Sequence, residues 1–474
     1  MIAEEEDFVL GTRLAIRDAM QQIDREDPSP MRGDGPVEQQ FAGDPPPIPP
    51  IPPFPLSSRF GIAPLTGGLV PGSNGSECEP PPSPSTRGAD VADQSRMSQR
   101  PLRVAVLGAT GLVGQEMIRL LEASEIPIGE LRLLASSRSK SLLLTFRGQL
   151  IPVQAATHEL LSDVDVVLAS AGGSVSREFL PRAAKYGAVC IDNTSAFRMD
   201  QGVPLVVPEV NGHELQAIRI GGGGAIIANP NCSTIQLVAA LKPLHDAAGL
   251  RRVIVSTYQS VSGAGQSAIR KFESASRSLL AGCEDLEPSL QGTAAFDLLP
   301  VIGDLDSDGH SSEELKMLQE TSKILGTHID LDVSCVRVPV VTGHAEAVLA
   351  EFHQPLSPEQ ATRTLSASPG VIVQEGAEFP TPRTIAGQHS TYVGRIRTAR
   401  TLPNALQMWV VADNLLKGAA FNAVQILEGL TGRTPPAIEQ DVSIETAATP
   451  SAEANRKTTP TQPAEIQTQS RVQS

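Results

Sequence analysis

The chain has 474 residues, a 40% apolar fraction and a formal net charge of −15, so it is long enough for two or more domains. That charge argues against nucleic acid or an anionic membrane as a general partner, although a few local Arg and Lys can still define an anion pocket. Five widely spaced cysteines (Cys78, Cys190, Cys232, Cys283 and Cys335) include no C-x-x-C pair, which speaks for free thiols in a reducing compartment rather than a disulfide framework or a metal site.

Residues 1–100 read as a disordered, acidic and Pro-rich arm. The start, Met1 to Asp7, lacks a basic segment followed by an apolar core, and is too acidic for an organelle transit peptide, so a cytoplasmic location is expected. No run of 18 apolar residues exists, so no spanning helix is expected. Phe8 to Ile23 has a partly helical period, compatible with a short docking helix or with an isolated marginal one. Residues 28–84 carry Pro45-Pro46-Pro47, Pro49-Pro50, Pro52-Pro53 and Pro80-Pro81-Pro82, a composition that favours extended polyproline conformations over a packed core. Residues 434–474, rich in Thr, Pro, Ala, Glu and Gln, read as a disordered tail.

The body, 101–433, begins with a short buried strand over Arg103–Leu107, then Gly108-Ala-Thr-Gly111-Leu-Val-Gly114, then an amphipathic helix over Gln115–Glu122. Strand–glycine turn–helix is the setting in which glycines let a backbone approach a pyrophosphate seated on the helix N-terminus. The next strand, Leu131–Ala135, ends in Ser136-Ser-Arg138-Ser139-Lys140 rather than in the acidic residue that binds ribose hydroxyls. Arg138 and Ser139 suit a 2′-phosphate, so NADP is expected; a solvated basic loop is the plainer alternative. Strands over Asp165–Ala169, Ala188–Asp192, Pro204–Pro208 and Gly224–Ala228 continue the series, and apolar strands alternating with helices indicate a parallel sheet covered on both faces.

Asn229-Pro230-Asn231-Cys232-Ser233-Thr234 then places a cysteine at the mouth of an apolar-faced helix over Ile235–Leu244. The positive end of a helix lowers a thiol pKa, and Asn231 offers an N–H to an oxyanion. A cysteine at such a turn is also a common small packing residue. Further on the strands alternate (Val253–Tyr258, Asp332–Val338, Ala345–Phe352), predicting a mixed or antiparallel sheet. A helix starting at Glu313 puts Glu313 and Lys316 on one face. Arg337 leaves a strand, and His344, a residue type suited to exchange protons with a thiol, follows seven residues later. A last helix is expected over Ala412–Leu427. Cys190 and Cys335 read as packing residues, and Cys283 as a loop residue.

Together these segments resemble the aspartate-semialdehyde dehydrogenases of the bacterial NADP-dependent kind, from about Leu102 to Gly432. The matching motifs include the Gly108–Gly114 loop, Ser195-Ala-Phe-Arg198-Met, Val207-Pro-Glu-Val-Asn211, Asn229–Thr234, Tyr258-Gln-Ser-Val-Ser-Gly263, Glu313-Glu-Leu-Lys316-Met, Cys335-Val-Arg-Val-Pro339, Gly343-His344 and Asp413–Ala420. The resemblance implies a Rossmann-type NADP domain over 101–231, an α+β catalytic and dimerisation domain with a mixed sheet over 232–401, and a C-terminal helix, 402–433, returning to the NADP domain. It implies Cys232 as nucleophile forming an acyl-thioester, His344 as acid–base catalyst, Gln259 and Asn231 beside the reacting carbonyl, Arg337 for the substrate carboxylate, Glu313 for its ammonium, and Arg198 with Lys316 for phosphate. Gly108, Thr110, Gly111, Leu112, Val113, Arg138, Ser139, Ser262, Gly263 and Asn414 would contact NADP.

The implied reaction reduces L-4-aspartyl phosphate to L-aspartate 4-semialdehyde, a step toward lysine, threonine, methionine, isoleucine and diaminopimelate, in a homodimer or homotetramer. Enzymes acting on glyceraldehyde 3-phosphate or N-acetyl-glutamyl phosphate are the nearest rivals, and Glu313 argues against the latter because an acetylated amine is uncharged. A non-enzymatic alternative uses Pro45 to Pro53 as a ligand for an aromatic groove.

Overall fold

The computed structural model describes residues 100–139, 142–283, 286–376 and 378–432. The expected polyproline arm, the Phe8–Ile23 segment, Cys78 and the expected tail lie outside the described residues.

The first sheet is built on buried apolar runs. Its strands are Leu102–Leu107 (β1), Ile128–Ala135 (β2), Leu143–Phe146 (β3), Gln149–Ala155 (β4), Val166–Ala169 (β5), Val189–Asp192 (β6) and Ala225–Ala228 (β7). They lie in the order β3-β4-β2-β1-β5-β6-β7, with every neighbouring pair parallel except β3 and β4. Such a sheet must be covered on both faces. Leu112–Ala123 (α1) lays Met117, Ile118 and Leu121 against Val104, Val106 and Leu133. On the other face Gly173–Lys185 (α2) lays Phe179, Leu180 and Ala183 against Ala105, Leu107 and Val167. The chain grows from β1 first toward β2 and later toward β5. The carboxyl end of β1 is therefore a point where strand order reverses, the usual place for a ligand crevice in such sheets.

The second sheet has the order β11-β12-β13-β10-β8-β9, from Leu250–Gln259 (β8), Asp330–Arg337 (β9), His344–Phe352 (β10), Val371–Gln374 (β11), Thr391–Thr398 (β12) and Ala405–Ala412 (β13). It is mixed: β8 with β9 and β11 with β12 are parallel, the rest antiparallel. Cys232–Ala248 (α3) packs Leu237, Leu241 and Leu244 on Val255, Val348 and Met408. Gln266–Leu280 (α4), Ser312–Leu325 (α5) and Pro358–Ser366 (α6) complete this half, and α5 opens with a capping box between Ser311 and Glu314.

Three expectations need correction. Pro204–Pro208 is not a strand. Leu205 makes a single bridge to Ala228, and Pro208 opens a short helical turn because a proline suits a first helical position and cannot donate to a ladder. The C-terminal return does not begin at 402, because Ala405–Ala412 is β13 of the second sheet, hydrogen-bonded to β10 and β12. For the same reason the last helix does not run from Ala412. It starts as a π-helical turn over Leu416–Ala420 and continues as Phe421–Leu430 (α7), which packs Val424 and Leu427 into the core of the first sheet.

That π-helical turn carries the fully buried Lys417, whose three ammonium protons go to Glu209 Oε2 at 2.7 Å, Gln425 Oε1 at 2.9 Å and Asn422 Oδ1 at 3.1 Å. One ammonium thus ties Glu209, in the turn following the isolated bridge, to the C-terminal return. Replacing Lys417 by Met leaves the Glu209 carboxylate in the interior without its counter-ion. A loss of about 3–5 kcal/mol is expected in equilibrium denaturation; a Lys417→Met protein as stable as the parent would contradict this reading of the pair.

Candidate active site

The Asn229–Cys232 turn is held from all sides by buried polar groups. Asn231 is the N-cap of α3, its Oδ1 accepting from Ser233 N at 3.0 Å and Thr234 N at 3.3 Å. Its Nδ2 donates to Glu313 Oε1 at 2.8 Å, and its backbone N–H donates to Glu320 Oε2 at 2.6 Å. Glu320 also takes Arg198 Nη1 at 3.0 Å, while Arg198 Nε and Nη2 donate to the carbonyls of Asn229 and Asn193. Lys316 Nζ lies 3.0 Å from Glu313 Oε2. Cys232 follows as the first residue of α3, and a Cβ added at Gly418 would stand 2.9 Å from the Cys232 Cβ, so only glycine fits where the π-helical turn passes the thiol.

The second group comes from three strand ends. Gln259 ends β8, Arg337 ends β9 directly beside it, and His344 opens β10. Gln259 is buried, its Nε2 3.3 Å from Thr257 Oγ1 and 3.7 Å from Cys335 Sγ. Arg337 Nη1 donates to the Ser260 carbonyl at 2.6 Å. A Cβ on Gly263 would lie 3.1 Å from Arg337 Nη1 and 3.4 Å from His344 Nε2, which places both groups against one bare backbone position. His344 Nδ1 sits 3.0 Å from the Ser260 N–H and 3.1 Å from Ser260 Oγ; its Nε2, on a fully buried ring, has no hydrogen-bond partner. Ser260 Oγ donates to Asn414 Oδ1 at 3.0 Å, and the same oxygen accepts from Gly343 N at 2.8 Å.

The electrostatics differ from the expectation that a helix start activates the thiol. Burial pushes the Cys232 thiol up to about 12, and the Glu313 charge pushes the same way; Arg337 and Arg198 pull it back only in part. The helix end contributes about half a charge, too little to offset desolvation of this partly buried thiol. Burial drives the His344 imidazole down to about 3, with Arg337 adding to the effect. The free site therefore holds a neutral thiol and a neutral ring. Burial opposes ionisation of Glu313, but Lys316 and the Asn231 amide outweigh it and hold its carboxyl below the usual range. Burial likewise pushes Cys335 up to about 12, in keeping with a packing residue.

The glycine loop behaves as a backbone cradle. Gly108 has φ +96°, and a Cβ there would meet the Ser170 carbonyl at 2.6 Å; a Cβ on Gly114 would strike the Gly108 carbonyl. The α1 N-cap, Gly111, supplies no side-chain cap, which leaves first-turn N–H groups for an anion. Thr110 Oγ1 lies 3.4 Å from Ser139 Oγ, joining this loop to the exposed Arg138 turn. Leu112 packs on the cluster of Val261 and Ile269, and Val113 on the core of the first sheet. Ser262 and Asn414 are hydrogen-bonded to each other, Nδ2 to Oγ, at 2.9 Å. Sequence reasoning missed Glu320, Ser260, Asn229 and Gly418. Glu320 was visible in principle, one turn beyond Lys316 on the face that carries Glu313; the other three act through partners distant in the chain.

A thiol with this pKa has a thiolate fraction that keeps rising with pH. The Cys232 alkylation rate in the free protein is expected to climb steadily from neutral pH to about pH 10, without a plateau near the ordinary thiol value. Glu313→Gln removes a negative neighbour and is expected to speed alkylation severalfold at fixed pH. A plateau near pH 8, or slower alkylation in the variant, would contradict the assignment.

Comparison with known proteins adds the family. Residues 103–218 match the semialdehyde dehydrogenase NAD binding domain, and residues 241–417 the semialdehyde dehydrogenase dimerisation domain. The chain is 48% identical over 335 residues to an aspartate-semialdehyde dehydrogenase of Aquifex aeolicus, covering 69% of this chain and 97% of the relative. It is 46% identical over 346 residues to that of Bacillus subtilis, covering 70% and 98%. Among solved structures, the Vibrio cholerae aspartate semialdehyde dehydrogenase II complexed with ASA aligns at 43% identity and TM-score 0.68, over 70% of this chain and 99% of that one. The Candida albicans enzyme with NADP aligns at 28% identity and TM-score 0.55, over 70% and 98%. With a two-domain α/β fold, an NAD-binding domain and a dimerisation domain, this chain belongs to the aspartate-semialdehyde dehydrogenase family of oxidoreductases.

Proposed function

We propose that the protein reduces L-4-aspartyl phosphate to L-aspartate 4-semialdehyde and phosphate with NADPH, through an acyl-thioester on Cys232. The observation that carries this reading is the charge pattern around one thiol: Glu313, Lys316, Arg198 and Arg337 match, sign for sign, the ammonium, phosphate and carboxylate of the substrate. Glu313 and Lys316 neutralise each other in the free protein. Substrate exchanges that pair for two new ones, ammonium on Glu313 and phosphate on Lys316, without leaving a buried charge alone.

The cofactor side is supported by the uncapped α1 start, by Gly108 and Gly111, and by Arg138 with Ser139 where an acidic residue would serve NAD. The Candida relative's NADP complex agrees with that choice. NADPH bound over this loop supplies the hydride.

Cys232 Sγ attacks the acyl carbon, an S–C bond forms, and phosphate leaves with the bond electrons. His344 accepts the thiol proton at Nε2, which requires its own proton on Nδ1, donated to Ser260 Oγ. The imidazolium so formed keeps its Nδ1 proton on Ser260 Oγ and returns the Nε2 proton to the sulfur when the tetrahedral adduct left by hydride addition collapses to the aldehyde. The second N–H of the Asn231 amide and the backbone N–H of Cys232 receive the oxyanion. Gln259, packed between Thr257 and Cys335, orients the acyl group. A homodimer in the cytoplasm, supplying lysine, threonine, methionine and isoleucine synthesis, is the setting this reading implies.

The test is phosphate-dependent reduction of NADP by aspartate 4-semialdehyde. Activity is expected to require phosphate and to vanish in Cys232→Ala. Absence of activity in the folded parent protein, with NADP and with NAD, would overturn the substrate. Arg138→Ala is expected to raise KM for NADP by about tenfold while leaving that for NAD nearly unchanged, since only the former has a phosphate to lose.

A further inference from the structure

A carboxyl that this reaction does not use lies directly behind the reactive groups. Glu346 stands two residues after His344 on β10, so the strand period puts it on the same face of the sheet. It is opposite Thr257 of β8 and Val410 of β13. It is fully buried, and neither of its oxygens has a hydrogen-bond partner. Among the described residues no cation acts on it. The charged or titratable groups near it are Cys335 on β9, itself neutral by burial, and the neutral ring of His344 on its own strand. Gln236 faces it from α3, four residues and about one turn beyond Cys232. Gln236 is also fully buried, and both its amide oxygen and its amide nitrogen are without partners.

These four orphaned atoms complement one another in one arrangement. A carboxylic acid O–H donates to Gln236 Oε1 while Gln236 Nε2–H donates to the other carboxyl oxygen. An ionised carboxyl would satisfy the amide N–H but set Oε1 against a negative oxygen in a dry interior, which leaves a buried charge uncompensated. We propose that Glu346 and Gln236 form a neutral acid–amide pair that fastens the helix bearing Cys232 to the strand bearing His344, making both positioning residues for the reaction. Neither touches the substrate. Their effect is to hold the spacing between thiol and imidazole, and its kinetic arm rests on the reaction proposed above.

The pair makes different substitutions separable. Glu346→Gln keeps a reciprocal pair, amide to amide, and is expected to retain kcat within about twofold. Glu346→Ala removes it, and kcat is expected to fall on the order of tenfold to a hundredfold with KM for aspartate 4-semialdehyde little changed. The exchange Gln236→Glu with Glu346→Gln rebuilds the acid–amide pair in reverse and is expected to restore kcat, which general loosening of the core would not do. Infrared difference spectra of parent against Glu346→Gln are expected to show the C=O stretch of a protonated carboxyl at neutral pH. A large loss of kcat in Glu346→Gln, or a carboxylate band in place of the acid band, would overturn the proposal. So would failure of the exchange to exceed Glu346→Ala. Should Glu346→Ala not fold, Glu346→Gln and the exchange still decide it. An inactive parent would sink the reaction and leave the infrared arm and the Cys232 alkylation rates to judge the pair.

Discussion

Everything at this site depends on one buried turn whose polar groups cannot be satisfied locally. Asn229 gives its amide protons to Asn193 Oδ1 and the Ala419 carbonyl and accepts from Asn422, while its backbone carbonyl takes Arg198. Asn231 caps α3 and reaches Glu313 and Glu320. Leaving any of these groups unpaired in a dry interior costs on the order of 1–3 kcal/mol. The turn therefore exists only when the strand end near Asn193, the face of α5 and the C-terminal return are all in place. The residues that build the site are the same ones that pin the two sheets together.

That arrangement keeps the thiol and the imidazole uncharged at rest. Thiol and imidazole are both driven toward their uncharged forms by burial. The charged residues that remain are Glu313 with Lys316, Glu320 with Arg198, and Arg337 on the Ser260 carbonyl. For Glu320 burial outweighs its partners and draws the carboxyl above its usual range. Pairing of this kind limits the cost of holding charged side chains in a buried site. The C-terminal return belongs to the same design. Its π-helical turn brings Gly418 onto the Cys232 side chain while Lys417, one residue earlier, is locked in the interior. A π-turn sacrifices regular bonding, and its occurrence beside the thiol fits its usual association with functional positions.

Much of the first domain was readable from pattern because its determinants are local. Apolar runs such as Val104–Leu107 and Val166–Ala169 are short, continuous and bounded by Gly or Asp, which marks strands buried on both faces. Errors fell where neighbours outvoted local preference. Pro204–Pro208 has strand-like residues, but its prolines leave only a bridge at Leu205. Ala412 reads as helical until β10 is seen to pair with it through His344.

By itself the sequence determined most of the element types, the glycine loop, and the placing of Glu313 and Lys316 on one face of α5. Those follow from periodicity and from residue chemistry within a few positions. Only the tertiary structure decided the protonation states, because desolvation depends on everything packed around a group and not on its neighbours in the chain. The same holds for the partners of Asn229, for Glu320 and for the facing of Gln236 and Glu346, which are 110 residues apart in the chain and meet only because α3 lies across the second sheet.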